Sequence, residues 1–272
     1  MQHEAIDGVV VRVKDMGDRD RYLSILTAEK GRIMMLSKGS RSMRGEQMAV
    51  SQLYTYANFE CYRKGGLYIL KGGAPIRPFY ELSMDIDRLN LAAYLCDLTC
   101  ELTDEGEEAG EMLRLLLNSL HAIGRELYPQ ALIKAAFELR AATVSGYAPD
   151  VEGCAFCGCE DVEEAYLDVM NGAVICSDCL GKRNAAQKHT GIYDDIREAD
   201  VLCPVTQAVL AAMRYVTAAS PERLFAFDLK EEEDRHLFST CAETYLLSHL
   251  GRGFDSLNFY HTMRQGAERK TK

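Results

Sequence analysis

Apolar residues in the first 75 positions fall in short runs at 6–13, 22–27, 32–37, 53–62 and 67–72, separated by glycine and polar turns. In Val9-Val10-Val11-Arg12-Val13-Lys14 and Tyr54-Thr55-Tyr56-Ala57-Asn58-Phe59-Glu60-Cys61-Tyr62 the alternation is partial, as in strands with one packed face and one wet face. Five such strands suit a small barrel of the OB type, with an SH3-like barrel as the competing arrangement.

After Pro75 and Pro78 the period becomes helical. Leu82, Ile86, Leu89, Ala93, Cys96 and Cys100 step by four and three, and a second row, Leu91, Leu95, Leu98 and Leu102, widens the stripe until most of that helix must be buried. The stretch 104–110 breaks it. Met112, Leu116, Leu120 and Ile123 predict the next helix, and Leu132, Ala136, Leu139 and Thr143 a third that closes near Gly146 with Pro149 beyond. Further on, 205–217 is expected as a helix after Pro204, and 231–250 as another that ends at Gly251, with Glu231 to Asp234 complementing the dipole at its start. The tail 266–272 is polar and expected to fray.

Within this pattern, Cys154-x2-Cys157 and Cys176-x2-Cys179, with eighteen residues between the pairs, have the spacing that a tetrahedral metal needs. Gly153, Gly158 and Asn171-Gly172 supply the backbone freedom for two facing turns. Four thiolates fill the shell and leave no position for water, so one structural Zn2+ is expected over residues 150–182. Cys159 is an alternative ligand to Cys157. The reading is an α+β multidomain protein: an OB-fold β-barrel over 1–80, then an all-α helical domain over 81–272 with an inserted four-cysteine zinc knuckle.

Charge adds an asymmetry. The chain carries a net −10, yet residues 1–80 hold 13 Lys+Arg against 8 Asp+Glu. A basic front on an acidic protein points to nucleic acid there. Arg12, Lys14, Arg19, Arg21, Lys30, Arg32, Lys38, Arg41 and Arg44 are the candidate phosphate contacts. Lys38 and Arg41 lead because a Gly-Ser loop holds them. The chain opens with no basic-then-apolar leader, and no run approaches eighteen apolar residues, so a cytoplasmic protein without a membrane span is expected.

Catalytic signatures do not occur. There is no Gly-x4-Gly-Lys-Ser/Thr loop, no Gly-x-Ser-x-Gly elbow and no His-Glu-x-x-His, and neither Cys pair follows a proline as in zinc deaminases. A zinc-stabilised interaction adaptor that never meets nucleic acid is the alternative reading.

Several runs carry a resemblance: Gly17-Asp18-Arg19-Asp20 through Leu26-Thr27, Glu29-Lys30-Gly31-Arg32, Ser37-Lys38-Gly39-Ser40-Arg41, and Gly65-Gly66 ahead of Leu67. Phe137-Glu138-Leu139-Arg140 and Gly146-Tyr147-Ala148-Pro149 then lead into the four cysteines. In this order the chain resembles the RecO family of bacterial DNA repair proteins. Ser40 stands where the family usually has Ala. The resemblance implies a recombination mediator, not an enzyme: it binds single- and double-stranded DNA, anneals complementary strands, and with RecR helps RecA replace single-stranded DNA-binding protein. It also implies a receptor for the acidic tail of that binding protein, expected at Lys134, Phe137, Arg140 and Arg252.

Overall fold

The computed structural model of the chain describes residues 3–41, 47–190 and 201–271. Two compact units divide it: Met1–Leu127 with Phe254–Lys272, and Tyr128–Gly253.

The first unit begins with five strands: β1 (His3–Met16), β2 (Asp20–Thr27), β3 (Arg32–Ser37), β4 (Thr55–Lys64) and β5 (Leu67–Pro78). They pair in the order β1-β2-β3-β5-β4, and β4 pairs back onto β1, so the ladder returns to its start. Only the β3–β5 contact is parallel. Alternate side chains fill the interior, among them Val10, Leu23, Ile25, Ile33, Met35, Phe59, Cys61 and Leu70. This is the OB-type barrel expected from the alternation, and a bulge between Val10 and Arg12 explains why the alternation in β1 was only partial.

After the barrel, a short 3-10 turn (Tyr80–Met84) leads to α1 (Ile86–Leu102), whose N-cap Asp85 accepts the N–H groups of Asp87 and Arg88. α2 (Gly110–Gly124) follows. The loop between these helices is welded to the β2–β3 turn by backbone hydrogen bonds: Arg32 N–H to Asp104, Gly106 N–H to Lys30 and Ala109 N–H to Ala28. Gly31, at φ +62°, sits in the middle of the weld.

The second unit contains α3 (Gln130–Val144) and a sheet of its own, made of β6 (Asp150–Cys154), β7 (Glu164–Asp168), β8 (Ala173–Cys176) and a later strand. α4 (Ser177–Thr190) leaves the end of β8. The later strand is β9 (Leu202–Thr206), and α5 (Gln207–Ala218) and α6 (Glu232–Leu250) follow it. The sheet order is β6-β8-β7-β9. α3, α5 and α6 pack around Phe137, Leu139, Val209, Met213, Phe238 and Leu246.

The mixed α+β class holds, and three details differ from expectation. The second part is not all-α, because the cysteine segment pairs with residues 202–206 into a sheet. Pro204 lies in β9 and not at a helix start; the helix begins at Gln207 because the Thr206 hydroxyl caps Val209 N–H. The polar tail belongs to a helix, α7 (Asp255–Thr271), which buries Leu257 and Tyr260 and rejoins the first unit, with Phe254 edge-on to Tyr94 of α1. By compactness, α1, α2 and α7 group with the barrel. No helix among the described residues is long and apolar enough to cross a membrane.

Candidate nucleic-acid interface and metal centre

The barrel cations separate into two groups. Arg12 of β1 pairs with Asp97 of α1 at 2.8 Å, and that hydrogen bond raises its pKa further. Lys30 pairs with Glu4 at 2.6 Å and lies 5.7 Å over the Tyr68 ring. Arg32 donates Nε to the Thr103 carbonyl at 3.0 Å and faces Asp104. These three are occupied by the weld and its surroundings. The Glu29-Lys30-Gly31-Arg32 turn is therefore architecture first.

The second group lies at the far end of the β1–β2 hairpin. Here Arg41 donates to the Gly17 carbonyl, its N–H reaches the Arg19 carbonyl at 3.1 Å, and Gly39 N–H reaches Asp20 Oδ1 at 2.9 Å. The hairpin tip and the loop after β3 are thereby one surface. Gly17 and Gly39 adopt left-handed φ values that let both turns close. On this surface Lys14, Arg19 and Lys38 are exposed, and their side chains have no polar partner among the described residues. Arg21 and Arg41 converge on one carboxylate, Asp15, at 3.1 and 3.6 Å. Arg44 lies outside the described residues.

Sequence reasoning passed over Lys64, just before the Gly65-Gly66 turn between β4 and β5, and Lys71, within β5 just before Gly72-Gly73. Both are exposed, and Lys71 lies 5.3 Å over the Tyr62 ring. A lysine directly before a glycine pair was the available signal in each case.

In the second unit, β6 delivers Cys154, the following turn Cys157, the end of β8 Cys176 and the first turn of α4 Cys179. Their sulfurs all lie within 4.8 Å of one another. Thiolates on a tetrahedral zinc stand roughly 3.8 Å apart for bonds of about 2.3 Å, and Cys157 and Cys176 are already 3.9 Å apart. The donor set and its spacing fit one metal ion. Cys159 turns away and donates to the Asp161 carbonyl at 3.3 Å, which leaves Cys157 as the ligand.

Backbone N–H groups serve the sulfurs, with Cys176 N–H on Cys154 and Cys179 N–H on Cys176, both at 3.4 Å. Burial works against charge on Cys154, yet N–H donors from Cys176, Cys157 and Phe156 pull its thiol down to about 6. Arg214 of α5 holds the turn from outside, with Nε to the Val151 carbonyl at 2.6 Å and Nη2 to the carbonyls of Glu152 and Glu160.

The expected tail receptor is corrected by burial. Lys134 is 1% exposed and Phe137 fully buried. The Lys134 ammonium contacts Glu138 at 2.9 Å and Glu243 at 2.6 Å. Arg140 is half-buried and donates to the Thr217 carbonyl. Of the four residues only Arg252 is exposed. A helical face that reads as amphipathic is here covered by α5 and α6.

The chain thus combines a cation-bearing OB-type barrel with a four-thiol group that could hold a metal ion. The comparisons agree: residues 1–79 match the family described as Recombination protein O N terminal, and residues 83–192 match Recombination protein O C terminal. The chain is 26% identical to the DNA repair protein RecO of Acetivibrio thermocellus over 97% of its own length and 98% of the relative. It is 31% identical to that of Alkaliphilus metalliredigens over 64% of this chain and 71% of the relative. The chain belongs to the recombination protein O family.

Proposed function

We propose that this protein is a DNA repair and recombination mediator that binds single- and double-stranded DNA on the β1–β2 hairpin surface and performs no bond chemistry of its own. The observation that carries this is the set Lys14, Arg19 and Lys38: three exposed cations without polar partners among the described residues, on two segments pinned together by Arg41. Phosphate contacts of this kind hold a strand without reading its sequence. Binding two strands on such a surface is also what annealing requires. Family membership supports RecR, RecA loading and the tail of single-stranded DNA-binding protein as the wider setting. The metal in this reading is one Zn2+ that secures residues 150–182 to the rest of the second unit, since a closed thiolate shell offers no reactive position.

The test is affinity against salt. The triple change Lys14→Glu, Arg19→Glu, Lys38→Glu is expected to weaken binding to unrelated sequences alike and to flatten the log-log salt slope by about 0.7 per contact on single strands. Arg12→Gln and Lys30→Gln are the controls and should leave the slope in place. Wild-type protein that binds no DNA at low salt would instead favour a protein-interaction adaptor.

A further inference from the structure

Cross-strand register places one continuous row around the outside of the barrel. Lys14 is opposite Tyr22, Tyr22 opposite Leu36, Leu36 opposite Ile69, and Ile69 opposite Tyr62. The chain neighbours of these residues point the other way: Leu23, Met35, Tyr68, Leu70 and Cys61 are in the barrel core, and Val13 packs against it. Alternation therefore puts the whole row on the outer face. Tyr22 and Tyr62 are half-buried, each with part of its surface open, and Leu36 and Ile69 form a nearly buried apolar floor between them. Two positions further on, on the same face of β5, Lys71 leans over Tyr62, and Lys38 stands just past the end of β3 beyond Leu36.

We infer that this row is a base-stacking track for single-stranded nucleic acid: Tyr22 and Tyr62 each take a base, and Lys14, Lys38 and Lys71 follow the phosphates across β1, β2, β3, β5 and β4. The inference rests on the DNA-binding reading above and goes further, since it assigns a strand path and two base contacts. Three inter-strand steps separate the tyrosines, roughly 14 Å along the sheet, which admits a short extended strand but not the stacked bases of a duplex. Aromatic side chains on an OB barrel take any base, because every base has a π-face. A cationic side chain at the ring, as Lys71 is over Tyr62, suits a strand whose bases and phosphates alternate along its length, the lysine moving from the ring to a phosphate as a base takes its place.

The experiment uses the full-length zinc-loaded protein, a fluorescent fifteen-residue oligo-dT, an abasic strand of the same length, and a duplex. The Tyr22→Leu/Tyr62→Leu double variant is expected to lose oligo-dT affinity by roughly tenfold per tyrosine, to keep its duplex affinity and its salt slope, and to regain binding as Tyr22→Phe/Tyr62→Phe. Wild type should bind the abasic strand no better than the Leu variant binds oligo-dT. Melting curves matched to wild type establish that the variants are folded. Unchanged oligo-dT affinity in the Leu variant, or equal wild-type affinity for abasic and normal strands, overturns the track. If the Lys14/Arg19/Lys38 reversal still weakens binding in that case, the barrel remains the DNA site; if it does not, both readings fall.

Discussion

The carbonyl oxygen of Asp104 lies 1.9 Å from the point where a Cβ on Gly31 would stand. Gly31 is also at φ +62°, so this contact joins the β2–β3 turn to the α1–α2 loop in a way that only glycine permits. Gly31→Ala is expected to destabilise the protein by about 2 kcal/mol or more, from left-handed strain together with overpacking. Urea unfolding checks this, as a lower midpoint with an unchanged slope.

Asp15 neutralises two arginines that point toward the proposed phosphate path. Asp15→Asn should release Arg21 and Arg41, raise affinity for single strands at low salt, and steepen the salt slope by about 1.4, which is 0.7 for each freed cation. A weaker-binding variant would mean that Asp15 orients the arginines and does not compete for them.

Metal removal acts on the second unit. Cys176→Ser, or chelation of the wild type, should release the ion and lower the melting temperature, because metal binding is coupled to folding of the segment. Arg214→Leu leaves all four thiols in place and removes the support of the carbonyls around them. On the order of a tenfold loss in metal affinity is expected, read by competition with a chromogenic chelator.

Lys134 is the buried cation between Glu138 and Glu243. Lys134→Met should cost about 3–5 kcal/mol, since it leaves the buried Glu138 carboxylate without the lysine that neutralises it. The paired change Lys134→Met/Glu138→Leu should recover much of that loss. Equal destabilisation in the single and double variants would refute the coupling.

His121 accepts a hydrogen bond at Nδ1 from Arg77 at 2.6 Å. Burial, and then the charges of Arg77 and Arg125, hold its pKa below the ordinary 6.5. The folded state therefore binds fewer protons here than the unfolded state, and this contribution is present above pH 6.5 and lost as pH falls below it. His121→Gln should lose less stability than wild type as pH falls below about 6.5. Parallel curves for the two proteins would discount the effect.

What the sequence revealed follows the range of each interaction. Periodicity is local, so β2, β3, α2 and α3 were legible almost to their ends, and so were the four cysteines. The occupied cations were not, because their partners are remote: Arg12 meets Asp97, 85 residues away, and Arg32 meets Thr103, 71 residues away. β6 and β9 are five residues each, too short for alternation to show, and β9 contains the proline that signalled a helix start. The burial of Lys134 was hidden for a related reason, since Glu138 is one helical turn on whereas Glu243 arrives from α6.

The return of α7 to the first unit sets an order of events on the ribosome. The second unit, Tyr128–Gly253, is synthesised in full before Phe254 emerges, yet Phe254 and α7 pack on α1. At about 5–20 residues per second, the unit that bears the barrel waits on the order of ten seconds for its last helix. A nascent chain stalled or cleaved near residue 250 would carry the four-cysteine segment in full while α1 still lacked its last helix.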